Sequence, residues 1–226
     1  MATTQEFDAQ REHMVREQIE RRGIHDERVL QAMRTVPRHL FIPEDQRYWA
    51  YSDGALRIAM GQTISQPYIV ALMSAALQLT GDERVLEVGT GSGYQAAILG
   101  YLGAEIHSIE RHPSLAETAA QQLKELGITN VQVHLGDGSL GLPDFAPYQA
   151  IMVTAAAPEV PHSLLKQLDE GARLVLPVGG RFSQVLQVWR REENKFKKST
   201  ISPVAFVPLI GAEGWDEKKE RKPRLW

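Results

Sequence analysis

The chain has 226 residues, 43% hydrophobic and 23% charged, with a formal net charge of -3, a composition ordinary for a globular protein with one large core and an appendage. The balance gives no general attraction to nucleic acid or anionic membrane, and the absence of cysteine excludes disulfides, thiolate metal sites and thiol nucleophiles together. No apolar run reaches the roughly 18 residues of a membrane span and the N-terminus lacks a signal-peptide pattern, so a cytoplasmic protein without membrane or nucleic-acid partners is expected, working as a monomer.

From the N-terminus, apolar residues recur at helical spacing over Arg11 to Arg22, Asp26 to Val36 and Ser65 to Gln78, with Gly23, Pro37, Pro43, Gly54 and Gly61 as breaks. Residues 1–80 therefore read as a helical cap. From 81 to 210 strands and helices alternate, with strands at Val85–Val88, Ile106–Ile109, Val131–Leu135, Ala150–Val153, Arg173–Pro177, Val185–Trp189 and Pro203–Val207. Helices are expected at Tyr94–Leu102, Ser114–Leu126 and Pro161–Leu168. This alternation predicts an α/β fold, a Rossmann-like, doubly wound and mostly parallel seven-stranded sheet ending in a hairpin. Residues 211–226 form a charged tail expected to be loosely held.

Val85-Leu86-Glu87-Val88-Gly89-Thr90-Gly91-Ser92-Gly93 reads as the first strand and glycine turn of a nucleoside-binding domain. Glycines at alternate positions let the backbone turn tightly and approach a ligand. Glu110 falls at the end of the second strand, about 20 residues on, where a carboxylate accepts hydrogen bonds from a ribose diol. Dinucleotides and S-adenosylmethionine remain in competition, and two details favour the methyl donor. The third glycine comes one residue too early for a G-x-G-x-x-G pyrophosphate cradle, and Glu87 suits a cationic amino group better than a phosphate. Ligands of open α/β sheets bind beyond the carboxyl ends of the strands, which adds Arg111, the Gly136-Asp137-Gly138 turn and Thr154 to Pro158 to the same crevice. Asp137 is placed to accept from an adenine amine.

Other motifs carry less. Seven histidines show no close metal spacing, so no metal site is expected. Ser65 has the local context of a helix N-cap before Pro67, and neither it nor Ser92 fits a nucleophile elbow. The basic residues Lys195 to Lys198 flank an expected hairpin turn near Asn194, a solvated feature given Glu192 and Glu193.

Several stretches together resemble the protein-L-isoaspartate O-methyltransferase family. They are Met14-Val15-Arg16-Glu17-Gln18-Ile19, Arg22-Gly23-Ile24, Val36-Pro37-Arg38-His39-Leu40-Phe41, Gly61-Gln62-Thr63-Ile64-Ser65-Gln66-Pro67, the glycine turn through Gln95, Gly136-Asp137-Gly138, Ala155-Ala156-Ala157-Pro158, Leu176-Pro177-Val178-Gly179 and Phe206-Val207-Pro208-Leu209. The resemblance implies transfer of a methyl group from S-adenosyl-L-methionine to the α-carboxyl of L-isoaspartyl residues in damaged proteins and peptides. It implies Ser65 as the active-site serine, cofactor contacts from Thr63, Ile64, Ser65, Glu87, Gly89, Thr90, Gly91, Glu110, Arg111, Gly136, Asp137 and Gly138, and substrate contacts from Ile64, Ser65, Gln66, Val178 and Gly179. Some members carry a basic residue where this chain has Ala205 and a hydroxyl residue where it has Ile210, differences expected to bear on the substrate groove and to leave the cofactor core untouched. A methyltransferase acting on RNA or a small molecule, and a non-catalytic binder of S-adenosylmethionine, share the glycine turn but not the Thr63-Ile64-Ser65 segment.

Overall fold

The computed structural model describes residues 3–181, 183–193 and 195–216. Its N-terminal helix α1 (Thr4–His13) starts at a capping box, with the Thr3 hydroxyl accepting from Glu6 N–H and the Glu6 carboxylate accepting from Thr3 N–H. The helical path continues through a wider turn, Met14–Ile19, that buries Met14, Val15 and Ile19, and stops where Gly23 takes a left-handed φ of 93°. Helix α2 (Glu27–Thr35) begins at Asp26, whose carboxylate accepts from Arg28 and Val29 N–H. It ends ahead of Pro37, which disfavours helical geometry in the residue before it.

A short antiparallel pair, β1 (Leu56–Arg57) and β2 (Thr63–Ile64), leads into α3 (Pro67–Leu77). Pro67 opens this helix, consistent with its missing N–H and preset φ. Gln66 is the N-cap residue and makes no side-chain cap. The sequence expectation that Ser65 caps the helix is thus corrected by one residue, and the Ser65 hydroxyl has no hydrogen-bond partner among the described residues.

The remaining strands form one seven-stranded sheet. They are β3 (Arg84–Val88), β4 (Glu105–Glu110), β5 (Val131–Leu135), β6 (Tyr148–Val153), β7 (Leu168–Gly180), β8 (Ser183–Glu192) and β9 (Lys195–Val204). Their order is β5-β4-β3-β6-β7-β8-β9. The first five pair in parallel, and β8 and β9 are added antiparallel. Helices α4 (Tyr94–Leu102), α5 (Pro113–Glu125) and α6 (His162–Lys166) complete the crossovers. The strand order reverses between β3 and its two neighbours, β4 and β6, and that switch point opens a crevice beyond the strand ends.

Strand β9 differs from its expected span of Pro203–Val207. It begins at Lys195, so the basic residues expected to flank the hairpin turn do so as part of the strand, with Lys195 paired to Glu192 and Lys197 to Arg190. Being an edge strand exposed over most of its length, it has no alternating apolar pattern to announce it, and its lysines and Pro203 suit an unpaired edge.

The cap and the sheet share one hydrophobic core. Met14, Ile19, Leu30 and Met33 belong to the same buried cluster as Ala96, Ile98 and Ile106. A second cluster, on the other face, joins Leu86, Val88 and Ile109 to Leu164, Leu174 and Leu209. Residues 209–216, which take in the start of the expected loose tail at 211, fold back on the domain: Trp215 Nε1 donates to the Ala156 carbonyl at 3.1 Å and Trp215 N to the Leu209 carbonyl at 2.7 Å. The rest of that tail lies outside the described residues. Among the described residues no helix is long and apolar enough to cross a membrane.

Candidate active site

The crevice is built by the ends of β3, β4 and β6. After Val88 the chain turns through Gly89 and Gly91, at φ of 97° and 53°, conformations that L side chains rarely adopt. Gly89 also packs against Thr154, whose Oγ1 would clash with a Cβ there and donates to the Gly89 carbonyl at 2.6 Å. Both glycines line a cavity with Val88, Ile109, Glu110 and Thr154, to which Thr63 from the β1–β2 pair and 207–210 from the returning chain also contribute.

Glu110 is where strand geometry predicts it, at the carboxyl end of β4 and on the cavity wall. Its carboxylate accepts from Gly91 N–H at 2.9 Å, Arg111 N–H at 2.9 Å and His112 N–H at 3.0 Å. These bonds tie the glycine turn to the neighbouring strand and keep the acid at the rim. Arg111 and Gly138 also line the cavity.

Other expected cofactor residues stand elsewhere. Glu87 and Thr90 are buried and line no part of the cavity. Side chains alternate along a strand, so with Val88 facing the cavity Glu87 points to the opposite face of the sheet. There it hydrogen-bonds with Ser108, which in turn bonds Thr90. Burial pushes the Glu87 carboxyl up to about 8, against the pull of the Ser108 hydroxyl and with a contribution from Glu110. Buried on the far face and held protonated at neutral pH, Glu87 does not repel a phosphate from the cavity, which corrects the expectation drawn from its charge.

Gly136 and Asp137 line an adjoining surface groove. The Asp137 carboxylate accepts from Ser139 N–H at 2.9 Å and Oγ at 2.7 Å, and from Ala212 N–H at 2.7 Å, so it anchors the returning chain beside the cavity. Ile210 lines both spaces, which corrects the expectation that this position leaves the cofactor core untouched.

A second groove carries Ser65. It is lined by Asp53, Gly54, Thr63, Ser65 and Gln66 on one side and by Pro203 to Phe206, Ala205 included, on the other. Ile64 is buried beneath. Thr63 belongs to both spaces, so the groove and the cavity meet across one side chain. Val178 and Gly179, expected on the substrate side, line neither; Val178 pairs with Ala157, and Gly179 N–H donates to the Ala157 carbonyl at 3.0 Å.

Sequence reasoning passed over His112 on the cavity wall and Asp53, Gly54 and Ile69 in the groove. His112 follows Glu110 by two residues, so position after the strand was an available signal. Asp53-Gly54 reads as an ordinary turn, and nothing local marks it.

The residues fit a nucleoside. The glycine turn leaves space that side chains would fill, Val88, Ile109 and Ile210 supply apolar walls, and one carboxylate stands at the rim. Fold and site define a class I methyltransferase dependent on S-adenosylmethionine.

The chain belongs to the protein-L-isoaspartate(D-aspartate) O-methyltransferase family, whose model matches residues 9–214. It is 54% identical over 198 residues to a protein-L-isoaspartate O-methyltransferase of Roseiflexus sp. (strain RS-1), covering 88% of this chain and 91% of the relative. A relative of the same name from Methanoculleus marisnigri is 52% identical, covering 91% and 94%. Among solved structures, one named protein-L-isoaspartate O-methyltransferase superposes with a TM-score of 0.80 at 29% identity, covering 90% of this chain and 67% of that one. A Plasmodium falciparum structure described as a methyltransferase of the same kind, in complex with S-adenosyl-L-homocysteine, superposes with a TM-score of 0.77 at 26% identity, covering 88% and 98%.

Proposed function

We propose that the protein methylates the α-carboxyl of L-isoaspartyl residues in damaged proteins and peptides, with Ser65 as the residue that orients that carboxylate. The observation carrying this reading is the junction at Thr63, where the groove bearing an unpartnered serine hydroxyl meets the cavity framed by the glycine turn. S-Adenosylmethionine, when bound, supplies an electrophilic methyl group on a sulfonium, which passes to a carboxylate oxygen and leaves S-adenosylhomocysteine. Gly89, Gly91, Glu110, Arg111, Gly138 and Thr63 would hold it. Glu110 would accept from a ribose hydroxyl with the one lone pair, on Oε2, that its three backbone bonds leave free.

No general base is needed. A free α-carboxyl, with a pKa of about 3.5, is already ionised at neutral pH. The protein's task is then orientation, and near-attack geometry holds reacting atoms roughly 3–3.5 Å apart. Ser65 donates a hydrogen bond to the carboxylate and attacks nothing. Gln66 and the backbone around it flank the substrate chain. The methyl ester then closes to a succinimide without help from the protein, and hydrolysis restores some normal aspartate. In this reading the enzyme works as a monomer in the cytosol, on polypeptides and not on nucleic acid or at a membrane, as its cysteine-free composition and net charge of -3 suit.

The test uses labelled S-adenosylmethionine and paired peptides differing only in aspartyl or isoaspartyl linkage. Label is expected on the isoaspartyl peptide alone; equal labelling, or none, overturns the reading. Ser65→Ala should lower turnover on the order of a hundredfold, as loss of one preorganised donor does, with affinity for S-adenosylhomocysteine unchanged. Wild-type turnover in that variant would remove Ser65 from the mechanism.

A further inference from the structure

We infer that Arg22 and Asp53, both in the cap, form a clamp that positions Ser65 for its substrate. The inference rests on the reading of Ser65 given above. Ser65 sits in the two-residue link between β2 (Thr63–Ile64) and α3 (Pro67–Leu77), and the link makes little to hold itself. Its hydroxyl is unpartnered among the described residues, and Gln66 provides no side-chain cap for the helix.

What holds the link comes from elsewhere in the chain. The Gln66 amide Nε2 donates to Asp53 Oδ1 at 2.7 Å and to the Asp53 carbonyl at 3.3 Å. Arg22 Nη1 in turn donates to both Asp53 carboxylate oxygens, at 3.3 and 3.1 Å. The same guanidinium lies over the Tyr68 ring, 3.5 Å from its centroid. One planar group thus grips Asp53 by its edge and Tyr68 by its face, and through them the first and third residues after Ser65. Arginine combines a fork of donors with a stacking face, whereas a lysine ammonium is a point charge. Arg22 is itself set in place as the last residue of the N-terminal helical run, ended by Gly23.

The clamp's geometry separates positioning from stability. Arg22 and Asp53 side chains are 41% and 42% exposed, and ion pairs so exposed contribute little to folding. Orientation of a reacting group is far more sensitive, because small misplacements cost large factors in rate. Arg22 and Asp53 are accordingly positioning residues.

The experiment measures kcat and KM on an isoaspartyl peptide, affinity for S-adenosylhomocysteine and thermal midpoint for the full chain and its Arg22→Met, Arg22→Lys, Ser65→Ala and Arg22→Met/Ser65→Ala variants. Arg22→Met should lower kcat about tenfold, with KM and cofactor affinity within about twofold of wild type and the midpoint within about 2 °C. Arg22→Lys should be only partly restored. The double variant should be no slower than Ser65→Ala, since a clamp acting through Ser65 has nothing left to position. Arg21→Met serves as control; Arg21 pairs with Glu17, away from the clamp. Wild-type kcat in Arg22→Met, a change confined to KM, or a further full tenfold loss in the double variant would each overturn the inference. Should Arg22→Met not fold at assay temperature, Arg22→Lys, which keeps the charge facing Asp53, is judged by the same criteria. Failure of the underlying reading looks different: Ser65→Ala itself would then be unimpaired.

Discussion

The two halves of the site are built by different means. The nucleoside cavity comes from consecutive strand ends of one sheet, and each of its positions is dictated by backbone: a left-handed glycine, a close approach to Thr154, an acid at the last residue of β4. The Ser65 groove is assembled from 53–69 on one wall and 203–206 on the other, segments more than a hundred residues apart that meet only because the cap and the edge strand pack against the same core. A nucleoside site belongs to the topology of the sheet, whereas the substrate groove depends on what is laid over it.

That contrast is sharpened by substitutions that act on one half alone. Gly89→Ala forces a Cβ into Thr154 at a strained φ. Strain and clash of this kind cost about 1–3 kcal/mol, so affinity for S-adenosylhomocysteine should fall roughly ten- to a hundredfold in calorimetry; an unchanged value would show the turn to be more compliant than its packing. Glu110→Gln keeps the shape but halves the acceptor capacity. The expected loss is about tenfold in cofactor affinity, as for a charged hydrogen bond, with turnover at saturating cofactor close to wild type. The mirror image of Ser65→Ala, it would break the two-part description if kcat fell while affinity held.

Effects smaller than these probe the frame around the site. The Glu87 carboxyl is raised to about 8 by burial, above its value in an unfolded chain. Between roughly pH 4.5 and 8 the folded state therefore binds the extra proton, and stability drops as pH climbs through that window. Glu87→Gln stays neutral and should flatten that slope in urea unfolding at pH 5 and 8; an identical slope would mean that Glu87 is ionised in the fold. Trp215→Phe removes the bond to the Ala156 carbonyl and should cost about 1 kcal/mol in the same assay, with no discrimination lost between aspartyl and isoaspartyl peptides.

Much of the nucleoside half was legible in advance. Glycine spacing after an apolar strand, and an acid one strand later, both follow from local rules that leave few alternatives. Glu87 misled because the motif that names the acid does not say which face it takes, and strand parity turned it inward once Val88 faced the cavity. Asp137 was found at the third strand end as expected, yet its carboxylate is engaged with Ala212, a partner 75 residues away that no local pattern announces. The lysine-bearing start of β9 carries no strand signal beyond its place beside the turn, because an exposed edge needs no apolar alternation.

By itself the sequence determined the order of strands and helices, the glycine turn and the carboxylate at the end of β4, since periodicity and backbone constraints are local properties. Through its resemblance to a family it also pointed to Ser65. Tertiary structure alone decided that the serine is free of capping duty, that Thr63 joins its groove to the cavity, and that Arg22 and Asp53 reach the link beside it. These are contacts between distant segments, and they follow from how the cap and sheet bury a common core, which no window of neighbouring residues encodes.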